Sequence, residues 1–135
     1  MTKPAAKEGD QVIALDTHIV MVPAPPGSPV PTPLPHPFAG ILDGELGDNV
    51  EIEGMAAATV DSTATNQPSH IPMPPGVSFQ SPPSNKATIT QGSSSVEING
   101  RAAARLGDVA ETCNDPSDLE IGVVLGTAAT VLIGG

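Results

Sequence analysis

The segment VEIEGMAAA, Val50 to Ala58, returns 46 residues later as VEINGRAAA, Val96 to Ala104, with seven of nine positions identical. Self-similarity at a fixed offset marks a repeated supersecondary unit. In each copy valine and isoleucine alternate with polar residues, Glu51 and Glu53 in the first and Glu97 and Asn99 in the second. That is the period of a strand with one buried face. Gly54 and Gly100 then supply the backbone freedom for a tight turn, and the alanines that follow can pack closely in a return strand. Each copy is therefore predicted to be a β-hairpin. The C-terminal VLIGG, Val131 to Gly135, repeats the V-x-I-x-G register once more. Each full copy is followed by a soft metal-ligand residue, His70 after the first and Cys113 after the second.

The interior of such a chain must be slim. There is no Trp or Tyr and only two Phe among 135 residues, so Val, Ile, Leu and Ala have to fill it, and the length suits one domain, residues 1–135, with no fused effector. Five basic against fifteen acidic residues give a net charge of −10, which repels phosphate backbones and argues against nucleic acid as a partner. The start, MTKPAAKEGD, has no apolar stretch of the kind an export signal needs, which predicts synthesis in the cytoplasm. A single cysteine forms no intramolecular disulfide, in keeping with a reducing compartment. The apolar tail from Ile121 is too short and glycine-rich to span a bilayer and reads as buried strand.

Two proline-rich stretches punctuate the pattern. PAPPGSPVPTPLPHP places eight prolines between Pro23 and Pro37, with His36 between the last two; a looser stretch from Pro68 to Pro83 holds His70 near its start. Fixed φ and missing amide donors predict extended, polyproline-like paths that hold an imidazole with little ordering entropy. The same stretches also suit an exposed linker or a ligand for polyproline-reading domains. Asp115-Pro116 predicts one short helical turn over Ser117 to Glu120.

His18, His36, His70 and Cys113 are the only histidines and the only cysteine. Three imidazoles and a thiolate make one tetrahedral zinc set with nothing left over, and four protein ligands leave no open position for water, so such a metal staples structure. Asp16, Asp61 and Asp108 are candidates to orient a ligating imidazole, or are ordinary turn residues.

At these residues the chain resembles the PAAR-repeat spike-tip proteins of contractile injection systems, such as type VI secretion and phage-tail-like particles. The resemblance rests on DTH (Asp16 to His18), PHPFAG (Pro35 to Gly40), VEIEGMAAA, and VEINGRAAARLGD (Val96 to Asp108) with Cys113 behind it. It implies an all-β fold, a small pyramid or cone of short β-hairpins with proline-rich extended segments and a zinc near the apex. It implies that His18, His36, His70 and Cys113 hold that zinc. It further implies one tip per trimeric β-helical spike, effector cargo as an accessory partner, transient contact with the target membrane, and action at the tip of a particle delivered outside the cell or into a target cell. The eponymous Pro-Ala-Ala-Arg is seen as Ala102-Ala103-Ala104-Arg105 and Ala56-Ala57-Ala58-Thr59, lacking the proline twice and the arginine once. An Arg105 to Asp108 pair on the surface would add about 0.2 to 1 kcal/mol.

Two other readings compete with a non-enzymatic structural tip. A small zinc hydrolase needs an open coordination position, and no HExxH, GxSxG or glycine-rich phosphate loop is present. A polyproline-rich adaptor needs its proline stretch free of the fold. The apolar tail, around Val123 to Leu125 and Val131 to Ile133, is the expected docking surface for a spike.

Overall fold

The computed structural model describes residues 1–135 and contains no helix. The strands are β1 (Lys3–Pro4), β2 (Gln11–Val22), β3 (Val30–Gly44), β4 (Gly47–Ile52), β5 (Met55–Ala57), β6 (Thr63–Asn66) and β7 (Ser78–Phe79). They continue with β8 (Lys86–Ile89), β9 (Glu97–Ile98), β10 (Arg101–Ala102), β11 (Val109–Thr112), β12 (Leu119–Leu125) and β13 (Leu132–Ile133). Six of them run β2, β3, β6, β8, β11, β12 and back to β2, all antiparallel, and the last pairing, Val123 opposite Ile13 and Leu125 opposite Gln11, closes the sheet into a barrel-like cone. Closure removes the free edges that short strands would otherwise expose.

The period-2 pattern decides what lies inside. Val12, Phe38, Leu42, Ile89 and Val124 are buried in the barrel, each stabilising it by about 1.5 to 3 kcal/mol. Ala64, Ala87 and Ala110 are buried in the same cluster, small side chains interleaved with the large ones. The predicted helical turn at Ser117 to Glu120 is absent. Leu119 and Glu120 instead begin β12, which is needed to close the barrel, and the Asp115 carboxylate that could have capped a helix accepts the Ile19 amide at 2.9 Å. The tail is likewise divided. Ile121 to Leu125 belong to the barrel wall, with Val124 fully buried, and at the other end Ile133 is buried as well, which leaves Leu132 as the exposed candidate for docking there.

The first proline stretch is not a free linker. Pro31, Pro33, Pro35 and Pro37 occupy alternate positions of β3, opposite Met21, Ile19, Thr17 and Leu15 of β2. A proline in a ladder is tolerated where its missing donor would face away from the neighbouring strand. With prolines at every second residue, Thr32, Leu34, His36 and Phe38 keep their amides for β2. The other edge of β3 is unpaired over this range, because β6 meets it only from Gly40 onward.

Below the barrel the repeated segments form a ring. β4 with β5 and β9 with β10 are the two expected hairpins, Ile52 opposite Met55 and Ile98 opposite Arg101. Their turns, Glu53-Gly54 and Asn99-Gly100, have positive φ at both positions, the two-residue geometry that matches strand twist. The third V-x-I-x-G forms an equivalent antiparallel pair but not a hairpin, because its partner strand comes from the other end of the chain: Ile133 lies opposite Lys3 and Leu132 opposite Pro4. Three backbone hydrogen bonds close the ring: the Ala6 amide donates to the Ala104 carbonyl at 3.0 Å, the Ala104 amide to the Ala58 carbonyl at 3.0 Å, and the Ala58 amide to the Ala6 carbonyl at 3.1 Å. The bridges Lys7 with Ala57, Thr59 with Ala103 and Arg105 with Ala5 repeat the same cycle. Pro4-Ala5-Ala6-Lys7 is therefore the third counterpart of the repeat, and it carries the proline that the other two lack.

Ala5, Ala6, Ala57, Ala58, Ala103 and Ala104 are all fully buried, since three backbones converge there. Ile52 and Ile133, with Val50, Val96, Ile98 and Val131 packed around them, form a second apolar cluster beneath the ring. One turn position also recurs, as Gly9 (φ 90°), Asp61 (φ 78°) and Gly107 (φ 91°). Only Asp61 carries a side chain in this left-handed conformation, so Asp61→Gly should stabilise the protein by about 0.5 to 1 kcal/mol, read as a small rise in melting temperature. Asp61 is thus a turn residue remote in role from any imidazole.

Candidate metal centre

Period 2 along β2 turns Asp16 and His18 to the same side, inward, and the register sets His36 of β3 opposite Asp16. Thr112 ends β11, and Cys113 follows it. His70 lies outside any strand and is held by its amide, which donates to Asn85 Oδ1 at 2.8 Å. These elements bring Asp16, His18, His70 and Cys113 together with one ligand atom from each, all within 4.8 Å of one another. Asp16 Oδ2 is 3.1 Å from His70 Nε2, 3.4 Å from Cys113 Sγ and 3.8 Å from His18 Nε2, and Cys113 Sγ is 3.7 Å from His18 Nε2. The Asp16, His18, His70 and Cys113 side chains are at most 3% exposed.

His36 shares the chamber, its ring centroid 5.4 Å from that of His18 and 5.6 Å from that of His70. Its nitrogens are turned to the backbone: Nδ1 lies 2.8 Å from the Leu34 carbonyl and Nε2 accepts the Met73 amide at 3.0 Å. Phe79, on β7, covers His18 and His36 at centroid distances of 5.9 and 5.5 Å.

The charges are tightly linked. Burial alone would raise the Asp16 carboxyl, but bonds from His18, His70, Thr112 and Cys113 bring it down to about 2. Burial alone would lower His18, yet the Asp16 bond and the Cys113 sulfur lift it to about 10. His70 is raised by the same two partners against its own burial, and Cys113 is lowered by His18 and His70 against its burial. His36 alone among the histidines moves down, through burial and the neighbouring imidazoles. A carboxylate and a thiolate beside two imidazoles are a donor set that suits zinc, whose ligands are sulfur, nitrogen and oxygen. His18 Nδ1 has no hydrogen-bond partner although buried, and it faces Asp115 Oδ2 at 3.4 Å, the arrangement by which a carboxylate orients a ligating imidazole.

Three of the four histidine and cysteine candidates thus converge, with His36 beside them. Among the proposed orienting aspartates, Asp16 is inside the cluster, whereas Asp108 pairs with Arg105 and Asp61 sits at an exposed turn. Asp115 escaped the sequence reading. Its signal was its place two residues after Cys113, but no periodicity tied it to His18.

The PAAR motif family model matches residues 34–111 and again residues 79–135. No curated protein and no solved structure gives a significant match.

Proposed function

The chain belongs to the PAAR-motif family, and from that premise we propose that it caps and sharpens the trimeric β-helical spike of a contractile injection apparatus, one tip per trimer. The observation that carries this reading is the ring of three equivalent two-stranded units, two hairpins and one pair made by the chain ends. One chain presents nearly the same surface three times, which is what a single subunit needs to sit on a threefold partner. Small residues and closed turns allow the opposite end to narrow, and the metal centre among the proline-rich segments staples that end. In this reading the metal is a structural zinc held by His18, His36, His70 and Cys113, with the Asp16 carboxylate beside His70 and His18.

The role is mechanical, not enzymatic. The tip is made and assembled in the cytoplasm, rides on the particle of a type VI or phage-tail-like system, and meets the target membrane during puncture, with effector cargo as an accessory partner. No helix is long and apolar enough to cross a membrane.

Co-expression of the full chain with a trimeric spike protein tests the proposal, with native mass spectrometry reading a 1:3 complex. Leu132 is 57% exposed on the strand pair formed by the two chain ends. Leu132→Asp is therefore expected to leave the chain folded and metal-loaded while abolishing the 1:3 complex. A folded variant that still binds the trimer would place the docking surface elsewhere, and a wild-type chain that captures no trimer would end the spike-tip reading.

A further inference from the structure

We propose that Glu53 is a positioning residue that latches the C-terminal strand into the base ring, and that the threefold docking face is complete only while this latch is closed. The docking half of the proposal rests on the spike-tip reading. In the first and second units, β4 with β5 and β9 with β10, a two-residue turn ties each strand to its return strand. In the third unit no turn joins β13 to β1, and their register covers only two residue pairs. Two strands paired over so short a stretch are marginal by themselves. The third unit can therefore open without breaking a turn, and side chains from its neighbours have to hold it.

Those side chains form a cycle in which the end of each unit meets the segment leading into another. In the turn of the second unit, Asn99 Nδ2 donates to Oδ1 of Asn49, just ahead of Val50, at 2.7 Å. At the end of the third unit the Gly134 carbonyl accepts Ser93 Oγ at 2.6 Å and the Gly135 carbonyl accepts Ser94 Oγ at 3.1 Å, just ahead of Val96. Glu53, in the turn of the first unit, completes the cycle ahead of Val131. Its Oε2 accepts the Ala129 amide and the Thr130 amide, both at 2.7 Å, and the Thr130 hydroxyl at 2.8 Å.

The three clasps are unequal. Asn99 makes one neutral bond between exposed side chains, and the hairpins on both sides of it keep their own turns. Glu53 gathers three donors on one charged oxygen, and hydrogen bonds to an ionised acceptor are roughly twice as strong as neutral ones. The Thr130 amide and hydroxyl, with the Ala129 amide, accordingly hold the Glu53 carboxyl below its usual range. Ala129 and Thr130 run directly into Val131, whose carbonyl accepts the Ala5 amide at 3.0 Å. The strongest clasp thus acts on the bond that seats the open unit against the ring.

Amide hydrogen exchange on the full-length protein tests the latch. Glu53→Asn copies the Asn-Gly turn of the second unit and so keeps the hairpin, while its side chain, one methylene shorter, draws the acceptor back from Thr130. The Ala5 amide is expected to exchange at least ~10-fold faster in this variant, and the Ala6 amide, whose partner is the Ala104 carbonyl, to keep its wild-type rate. Glu53→Gln should return Ala5 to within about 3-fold of wild type, because one carbonyl oxygen can take all three donors. A general loss of stability would give no such rescue. Titrated against a trimeric spike protein, Glu53→Asn should weaken the 1:3 complex at least ~10-fold and Glu53→Gln by less than about 3-fold. Unchanged Ala5 exchange in Glu53→Asn overturns the latch, and so does a quickening that Ala6 shares, since the whole ring has then loosened. Faster Ala5 exchange with undiminished affinity for the trimer overturns the docking half. A wild-type chain that binds no trimer removes the docking half together with the spike-tip reading, and the Ala5 amide still decides the latch.

Discussion

Replacing Arg105 with threonine is expected to lower stability by about 3 to 5 kcal/mol, the range for removing one partner of a buried ion pair. Arg105 and Asp108 are 4% and 1% exposed, and the guanidinium grips the carboxylate at two points, 3.1 Å from Nε and 2.8 Å from Nη2. This overturns the expectation of a weak surface pair. Without Arg105 the Asp108 charge stays buried, because its Oδ2 is also fixed by the Arg105 backbone amide at 2.7 Å.

The pseudo-threefold ring supplies the control. The same slot is filled by Lys7 with Asp10 in one unit and by Thr59 with Ser62 in another, where the Thr59 amide donates to Ser62 Oγ at 3.0 Å. The geometric need is one side-chain oxygen accepting one amide, and charge is an option that brings its own requirement for a cation. Arg105→Thr combined with Asp108→Ser copies the neutral unit and should recover most of what the single change loses. Urea melts of the wild type, the single and the double variant test this; a single variant within about 0.5 kcal/mol of wild type would show that the pair carries little.

The hairpins were legible because their information is local. Val50, Ile52 and Gly54 state a strand and a turn within five residues, and the repeat at Val96 states it again. The third unit was half hidden for a reason of topology. Its strands lie at opposite ends of the chain, so Pro4-Ala5-Ala6-Lys7 has no neighbouring V-x-I-x-G to announce it, although Gly9-Asp10 follows Ala5-Ala6 at the same spacing as Gly107-Asp108 follows Ala103-Ala104. Barrel closure by β12 was also hidden, since strand pairing between Val123 and Ile13 is a long-range choice that no window contains. Ligand chemistry was visible in the inventory of histidines and cysteine, because those residue types are few. Which donors point at a common centre was not. That depends on the β2 register, which puts Asp16 on the His18 side, and on the backbone groups of Leu34 and Met73 that occupy His36.

Removing the metal is expected to have the other large effect. Elemental analysis should find one zinc per chain in protein purified without chelator. Prolonged treatment with a strong chelator should then lower the melting temperature by roughly 8 to 16 °C, since free zinc at a thousand times its dissociation constant stabilises a folded site by about 4 kcal/mol and each kcal/mol moves a domain of this size by about 2 to 4 °C. The loss should stop short of unfolding, unlike a zinc finger, because Val12, Phe38, Leu42, Ile89 and Val124 keep a core without the ion. Cys113→Ser should reproduce the loss. The hydroxyl stays protonated at neutral pH where the Cys113 thiol is already eased toward its anion by His18 and His70, so zinc affinity should fall at least ~100-fold while the barrel still forms. The sensitive region should be the proline-rich end, where His70 is tied down by only its Asn85 bond and by the cluster itself. Hydrogen exchange should therefore quicken around residues 67–80 in the metal-free protein and leave the ring amides of Ala6, Ala58 and Ala104 protected. An unchanged melting temperature after complete removal of bound zinc would mean that the barrel and ring alone hold this end, and the ion would then have no stapling role.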